Sequence, residues 1–182
     1  MSDHDAEKPQ KPVEQLDENA LHARQQQVQG KFIGPAIIGA GVANSRNIGA
    51  ILRIADAINS REVVFIDTPE FDSRKIRKVS RQMSEKRAHR FIDFDQFALQ
   101  VRYYHPLIAV EITTQSRDIY VTHLPKNASF VVGNERTGIP PKVLALCDEA
   151  VHIPMFGINS SMNVATSLGI VLYEWYRQTQ RG

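Results

Sequence analysis

The sequence holds one cysteine, Cys147, in 182 residues. A lone thiol excludes an intramolecular disulfide framework and any zinc site built on several cysteines. No apolar run approaches the roughly 20 residues that a membrane-spanning helix needs. The opening MSDHDAEKPQKPVEQ lacks the apolar stretch of a secretory signal. The expected setting is reducing and cytoplasmic. The histidines (His4, His22, His89, His105, His123 and His152) include no pair spaced four apart and no cysteine partner, so no metal is expected. A complete dinucleotide fingerprint is also lacking. Gly39 and Gly41 follow an apolar run, but Asn44 stands where the third glycine belongs.

Charge is present but unevenly placed. Residues 1–30 hold three basic side chains against six acidic ones, whereas residues 31–182 hold 19 basic against 14 acidic. Between Arg74 and Arg90 stand eight basic residues opposed only by Glu85. Such a stretch suits a polyanion, although a solvated helix face would look the same. Residues 1–30 have almost no aliphatic periodicity and read as a disordered polar tail, with a short helix near Asn19–Gln29.

From Lys31 onward, short apolar runs alternate with helical patterns. Strands are expected at Pro35–Ile38, Glu62–Ile66, Leu107–Glu111, Phe130–Val132 and Val151–Ile153. Helices are expected at Asn47–Ile58, Asp72–Gln82, Phe94–Gln100, Pro140–Leu146 and Ser161–Gln178, the last capped by Ser160 or Ser161. Unbroken apolar strands separated by helices indicate an α/β fold with a parallel sheet, whose ligands bind beyond the carboxyl ends of the strands.

Three loops therefore matter. In the first, Asn47 could cap a helix or bind a ligand, and Arg53 lies less than two turns along; an ion pair with Asp56 or Asp67 is its structural alternative. The second, VVGNERTGI, sets Glu135 between Gly133 and Gly138, a tight turn whose amides can face a ligand. The third, IPMFGINSSMNVA, places Met155, Phe156 and Ile158 beside a polar run before a helix. Its character suits a purine and a thioether better than a phosphate.

Taken together, N-x-G-x-x-x-R (Asn47, Gly49, Arg53), G-x-E-x-x-G (Gly133, Glu135, Gly138) and I-P-M-x-G…S-x-N-V (Ile153, Pro154, Met155, Gly157, Ser161, Asn163, Val164) resemble the SpoU/TrmH class of SPOUT RNA methyltransferases. The resemblance covers about residues 35–178 and makes 31–182 the methyltransferase domain. It implies a C-terminal trefoil knot, a homodimer, and S-adenosylmethionine as cofactor with S-adenosylhomocysteine as product. The implied reaction methylates a ribose 2′-hydroxyl of RNA, tRNA before rRNA. It further implies catalytic or site-shaping roles for Arg53, Asn47, Glu135, Ser161 and Asn163. Cofactor contacts would come from Thr113, Gly133, Asn134, Gly138, Ile153, Met155, Ser161 and Met162. Arg53 would serve as base or, because a guanidinium resists deprotonation, as a charged stabiliser. In an RNA enzyme the basic stretch would hold phosphates, with Arg77, Arg81 and Arg87 as candidates. Tyr173, Trp175 and Tyr176 are candidate dimer anchors or core residues, and Cys147 is expected in the core. The alternatives are a catalytically silent knotted RNA-binding protein and a small-metabolite enzyme with a nucleotide cofactor.

Overall fold

Residues that alternate between burial on two faces need a layer on each side of the sheet, and the chain supplies both. A computed structural model describes residues 13–28, 30–69 and 89–180. The chain divides into two compact units, Met1–Phe32 and Ile33–Gly182. In the first, α1 (Glu18–Val28) is a helix with no buried residue.

The second unit is built on a seven-stranded, wholly parallel sheet. Its elements are β1 (Gly34–Ala40), α2 (Ser45–Ala57), β2 (Ser60–Ile66), β3 (His89–Ile92), α3 (Phe94–Gln100), a 3-10 turn (Val101–Tyr103), β4 (Leu107–Val110), β5 (Arg117–Asp118), β6 (Ser129–Val132), α4 (Pro141–Leu144), β7 (Glu149–His152) and α5 (Val164–Gln180). The strand order is β3-β2-β1-β6-β4-β7-β5. β1 and β6 lie at the centre and are buried along their whole length.

Alternation along the strands sorts the core. Ala36, Ile38, Val64, Ala109 and Val131 share one cluster with Phe97 of α3 and Val143 of α4. On α2 the expected stripe, Ile48, Ile51, Leu52 and Ala55 with Ile58 just beyond, is buried, and this helix packs on β2 and α5. Trp175 of α5 meets Phe130 edge-on, with ring centroids 6.3 Å apart, and donates its indole N–H to the Pro125 carbonyl at 2.9 Å. It is 2% exposed and therefore a core residue, not a dimer anchor. Tyr176 is half-buried and Tyr173 is exposed.

Local chemistry explains the boundaries. Asp93 and Gln96 form a reciprocal capping box, which starts α3 where the sequence predicts it. The Asp148 carboxylate accepts from the Leu107 N–H and bonds the His105 ring, both at 2.6 Å, fastening the turn before β7 to the start of β4. α5 begins three residues later than expected. Neither Ser160 nor Ser161 caps it; the Asn163 Oδ1 accepts from the Ala165 and Thr166 amides at 3.0 and 3.2 Å. β7 ends at His152, one residue earlier than expected, and α4 is a single turn. The expected helix at Asp72–Gln82, with Arg77, Arg81 and Arg87 in and beyond it, lies outside the described residues. Arg90, the end of the basic stretch, is bonded to Glu62, Gln100 and Tyr104.

Candidate active site

β1 and β6 are neighbours far apart in sequence, so the sheet changes its winding direction between them. The loops that leave their carboxyl ends are brought side by side. The loop after β6 closes on itself. Asn134 and Gly138 exchange two backbone hydrogen bonds at 2.9 and 3.0 Å. Asn134 Oδ1 accepts from the Arg136 and Thr137 amides, and its Nδ2 donates to the Gly41 carbonyl at 2.8 Å. Both motif glycines are steric requirements. A side chain at Gly133 would collide with the backbone of Gly138 and Ile139, and Gly138 has φ +72° with Glu111 against its open side.

From this turn Glu135 reaches across to the loop after β1. Its Oε1 accepts from the Asn44 N–H at 3.1 Å and the Asn47 amide at 2.7 Å, and its Oε2 from the Ala43 N–H at 3.2 Å. Burial acts to raise the carboxyl pKa. The Asn47 amide and the backbone N–H groups of Glu135, Ala43 and Asn44 outweigh it and hold the group below its ordinary value. An ionised carboxylate only accepts, which orients everything behind it. Asn47, 8% exposed, must turn Nδ2 to Glu135 and Oδ1 away. That Oδ1 accepts from Asn163 Nδ2 at 3.0 Å, and Asn163 Oδ1 is left to the amides of α5. One directional relay thus joins the turn after β6 to the starts of two helices. Asn47 is not the α2 cap; Asn44 is, its side chain accepting from Arg46 N–H.

Beside the relay lies a cavity of ≈ 420 Å³, walled by the last residues of three strands (Val110, Val132 and His152) and the segments that follow them. Of the expected cofactor contacts, Gly133, Asn134, Gly138, Ile153, Met155, Ser161 and Met162 line it. Thr113 does not; with Ser116 it folds a tight turn beyond β4. Glu135 and Ser161 are on the wall, Asn47 and Asn163 stand behind Glu135, and Arg53 lines no part of the cavity. Arg53 is exposed on α2 and forms no ion pair or hydrogen bond among the described residues, so neither Asp56 nor Asp67 holds it. Asp67 is paired with Lys142. Glu111, Arg136, His152 and Ser167 also line the cavity without having been singled out in the sequence. The signal for Glu111 was its place at the carboxyl end of an unbroken apolar strand. A second cavity of ≈ 460 Å³, lined by Ala43, Asn44, Ser45, Asn134, Glu135 and Arg136, adjoins the first through Asn134, Glu135 and Arg136.

Cys147 is half-buried, its thiol is pushed up to about 12 by burial and by the Asp148 charge, and it lines neither cavity. Among the described residues no group of His, Cys, Asp and Glu could hold a metal, and no helix is long and apolar enough to cross a membrane.

The model of the SpoU rRNA methylase family matches residues 35–173. The chain belongs to this family. Among curated SpoU relatives, the 23S rRNA (guanosine-2′-O-)-methyltransferase RlmB of Neisseria meningitidis serogroup B is 33% identical over 144 residues, covering 76% of this chain and 56% of the relative. The tRNA (guanosine(18)-2′-O)-methyltransferase of Escherichia coli K12 is 30% identical over 142 residues, covering 76% and 61%. The chain thus spans rather more than half the length of these SpoU relatives. Among solved structures, the A. aeolicus TrmH/SpoU tRNA modifying enzyme superposes with a TM-score of 0.72 at 25% identity, over 88% of this chain and 85% of that one. The SpoU methyltransferase AviRb of Streptomyces viridochromogenes, solved in complex with AdoMet, gives 0.73 at 22% identity, over 86% and 65%; that likeness concerns the fold.

Proposed function

We propose that this chain transfers a methyl group from S-adenosylmethionine to a ribose 2′-hydroxyl of RNA. The observation that carries the reading is the pair of adjoining cavities, which share a wall built on an ionised, immobilised Glu135. The first cavity fits the donor in size and chemistry. Its ≈ 420 Å³ lies within the range of about 300–1,000 Å³ common for such ligands. Val110, Val132, Ile153, Met155, Met162 and Val164 give apolar surface for a purine and a thioether, and Ser160, Ser161 and Ser167 give hydroxyls for a ribose. Glu111 and Glu135 suit a ligand that bears positive charge. When bound, the donor supplies an electrophilic methyl on a sulfonium.

The protein's own share is orientation and charge. Glu135 and its relay hold the shared wall rigid. Arg53, cationic and unpaired among the described residues, stands outside both cavities. It stays charged and stabilises the developing alkoxide, whose proton passes to solvent water, once RNA or a second copy of the chain brings the reacting ribose beside it. We take the working form to be a homodimer and the C-terminal segment to be threaded into a trefoil knot. The substrate we infer is tRNA. The support for tRNA is the A. aeolicus tRNA modifying enzyme, which superposes over 85% of its length. A thermal-shift screen followed by transfer of labelled methyl to tRNA and rRNA tests the reading. Stabilisation by S-adenosylmethionine and S-adenosylhomocysteine, with label in 2′-O-methylribose, is the expected result; stabilisation by dinucleotides alone would overturn it.

A further inference from the structure

We infer that Arg136 binds the phosphodiester of the nucleotide being methylated and so sets the position of its 2′-hydroxyl in the second cavity. This rests on the RNA-methylation reading. Asn134, Glu135 and Arg136 are the residues common to both cavities, and Arg136 is their one cation. The other ionisable residues on the two walls are Glu111, Glu135 and His152, so a polyanion approaching without Arg136 would meet carboxylates.

The arginine is built for the task at its base and uncommitted at its tip. Its backbone N–H is held at 2.9 Å by Asn134 Oδ1, inside a turn closed by the Asn134–Gly138 bonds and tied by Asn134 Nδ2 to the Gly41 carbonyl. The guanidinium, by contrast, is exposed and has no ion pair or hydrogen bond among the described residues. Arg90, Arg117 and Arg177 each have a carboxylate partner. In RNA the 2′-hydroxyl and the 3′-phosphate leave adjacent carbons of one ribose. A fork that grips the phosphate therefore places the hydroxyl, and Glu135 beside it repels the phosphate from the wrong side.

The test compares wild-type protein with Arg136→Gln and Arg136→Lys, using unfractionated tRNA from cells lacking the gene. Melting curves control for folding, which an exposed side chain should not disturb. Arg136 lines both cavities, so calorimetry with S-adenosylhomocysteine reads donor affinity separately for all three proteins. For Arg136→Gln, tRNA affinity should fall about tenfold, the loss expected for one charged hydrogen bond. Its dependence on log salt should flatten by about one unit. Single-turnover methylation at saturating tRNA should fall as well. Arg136→Lys should recover the salt slope but not the single-turnover rate, because a point charge does not replace the fork. If Arg136→Gln keeps the wild-type slope and rate, or loses donor affinity instead of tRNA affinity, the inference is overturned. Failure of the wild-type protein to bind the donor at all would mark the failure of the methyltransferase reading itself, and Arg136's role would fall with it.

Discussion

Asn163 offers the sharpest perturbation, because its amide serves two structures at once. Its oxygen caps α5 and its nitrogen supports Asn47. Asn163→Ala removes both. Loss of an N-cap costs about 1 kcal/mol, and a buried acceptor left without a donor costs about 1–3 kcal/mol. The sum, about 2–4 kcal/mol, corresponds to a fall in Tm of about 4–16 °C for a chain of this size. Asn163→Asp separates the two parts. It keeps an oxygen for the α5 amides but turns an acceptor toward Asn47 Oδ1. Asn47 cannot flip to compensate, because its oxygen would then face the Glu135 carboxylate. The aspartate variant should therefore be less stable than wild type near neutral pH. It should recover part of the loss when the new carboxyl is protonated and becomes a donor. Chemical denaturation at two pH values measures this, and a double-mutant cycle of Asn47→Ala and Asn163→Ala should return a coupling of about 1 kcal/mol. Zero coupling, with an aspartate variant as stable as wild type at every pH, would refute the relay.

Other expectations follow from single observations. Arg53→Ala should leave S-adenosylhomocysteine affinity intact while tRNA methylation drops by about 100-fold or more, measured by label incorporation; wild-type turnover in that variant would remove Arg53 from the mechanism. Gly133→Ala forces a side chain into the Gly138 backbone and should abolish the thermal shift given by S-adenosylhomocysteine. Glu135 and Asp148 both titrate below their ordinary values, so the stability they add is complete above the unfolded carboxyl pKa of about 4 and is lost as pH falls through the lower folded values. Acid melts should accordingly show less loss for Glu135→Gln than for wild type. With its thiol pushed up to about 12, Cys147 should react with iodoacetamide at pH 8 only as the chain unfolds. The native rate should be on the order of a thousandfold lower than the unfolded one.

The repeating parts of the fold were legible because each rests on local chemistry. The α2 stripe follows from spacing, α3 starts at an aspartate with glutamine three residues on, and β1, β2, β4 and β6 each contain an unbroken apolar run. β3 carries no clear strand signature in sequence, because two of its four residues are exposed and its arginine continues the basic stretch. β5 is two residues long, too short to carry a period. Much of the cavity wall lies in the two loops that carry the second and third motifs. How their residues cooperate is not legible in the sequence. Ser160 and Ser161 look like caps in sequence, yet they line the cavity while Asn163 does the capping. The link from Asn163 through Asn47 to Glu135 joins residues distant in the chain, and no spacing rule reports it.

The central place of β6 governs the order in which the molecule can be assembled. β1 leaves the ribosome early, and its flank opposite β2 stays open until residues 129–132 arrive to fill it. Until then the nascent chain presents an unpaired row of backbone groups on one of its most apolar strands, an invitation to wrong partners. Neither half of the sheet is finished without that late four-residue insert, which bonds β1 on one side and β4 on the other. Refolding from denaturant should accordingly be slow, which stopped-flow fluorescence would check.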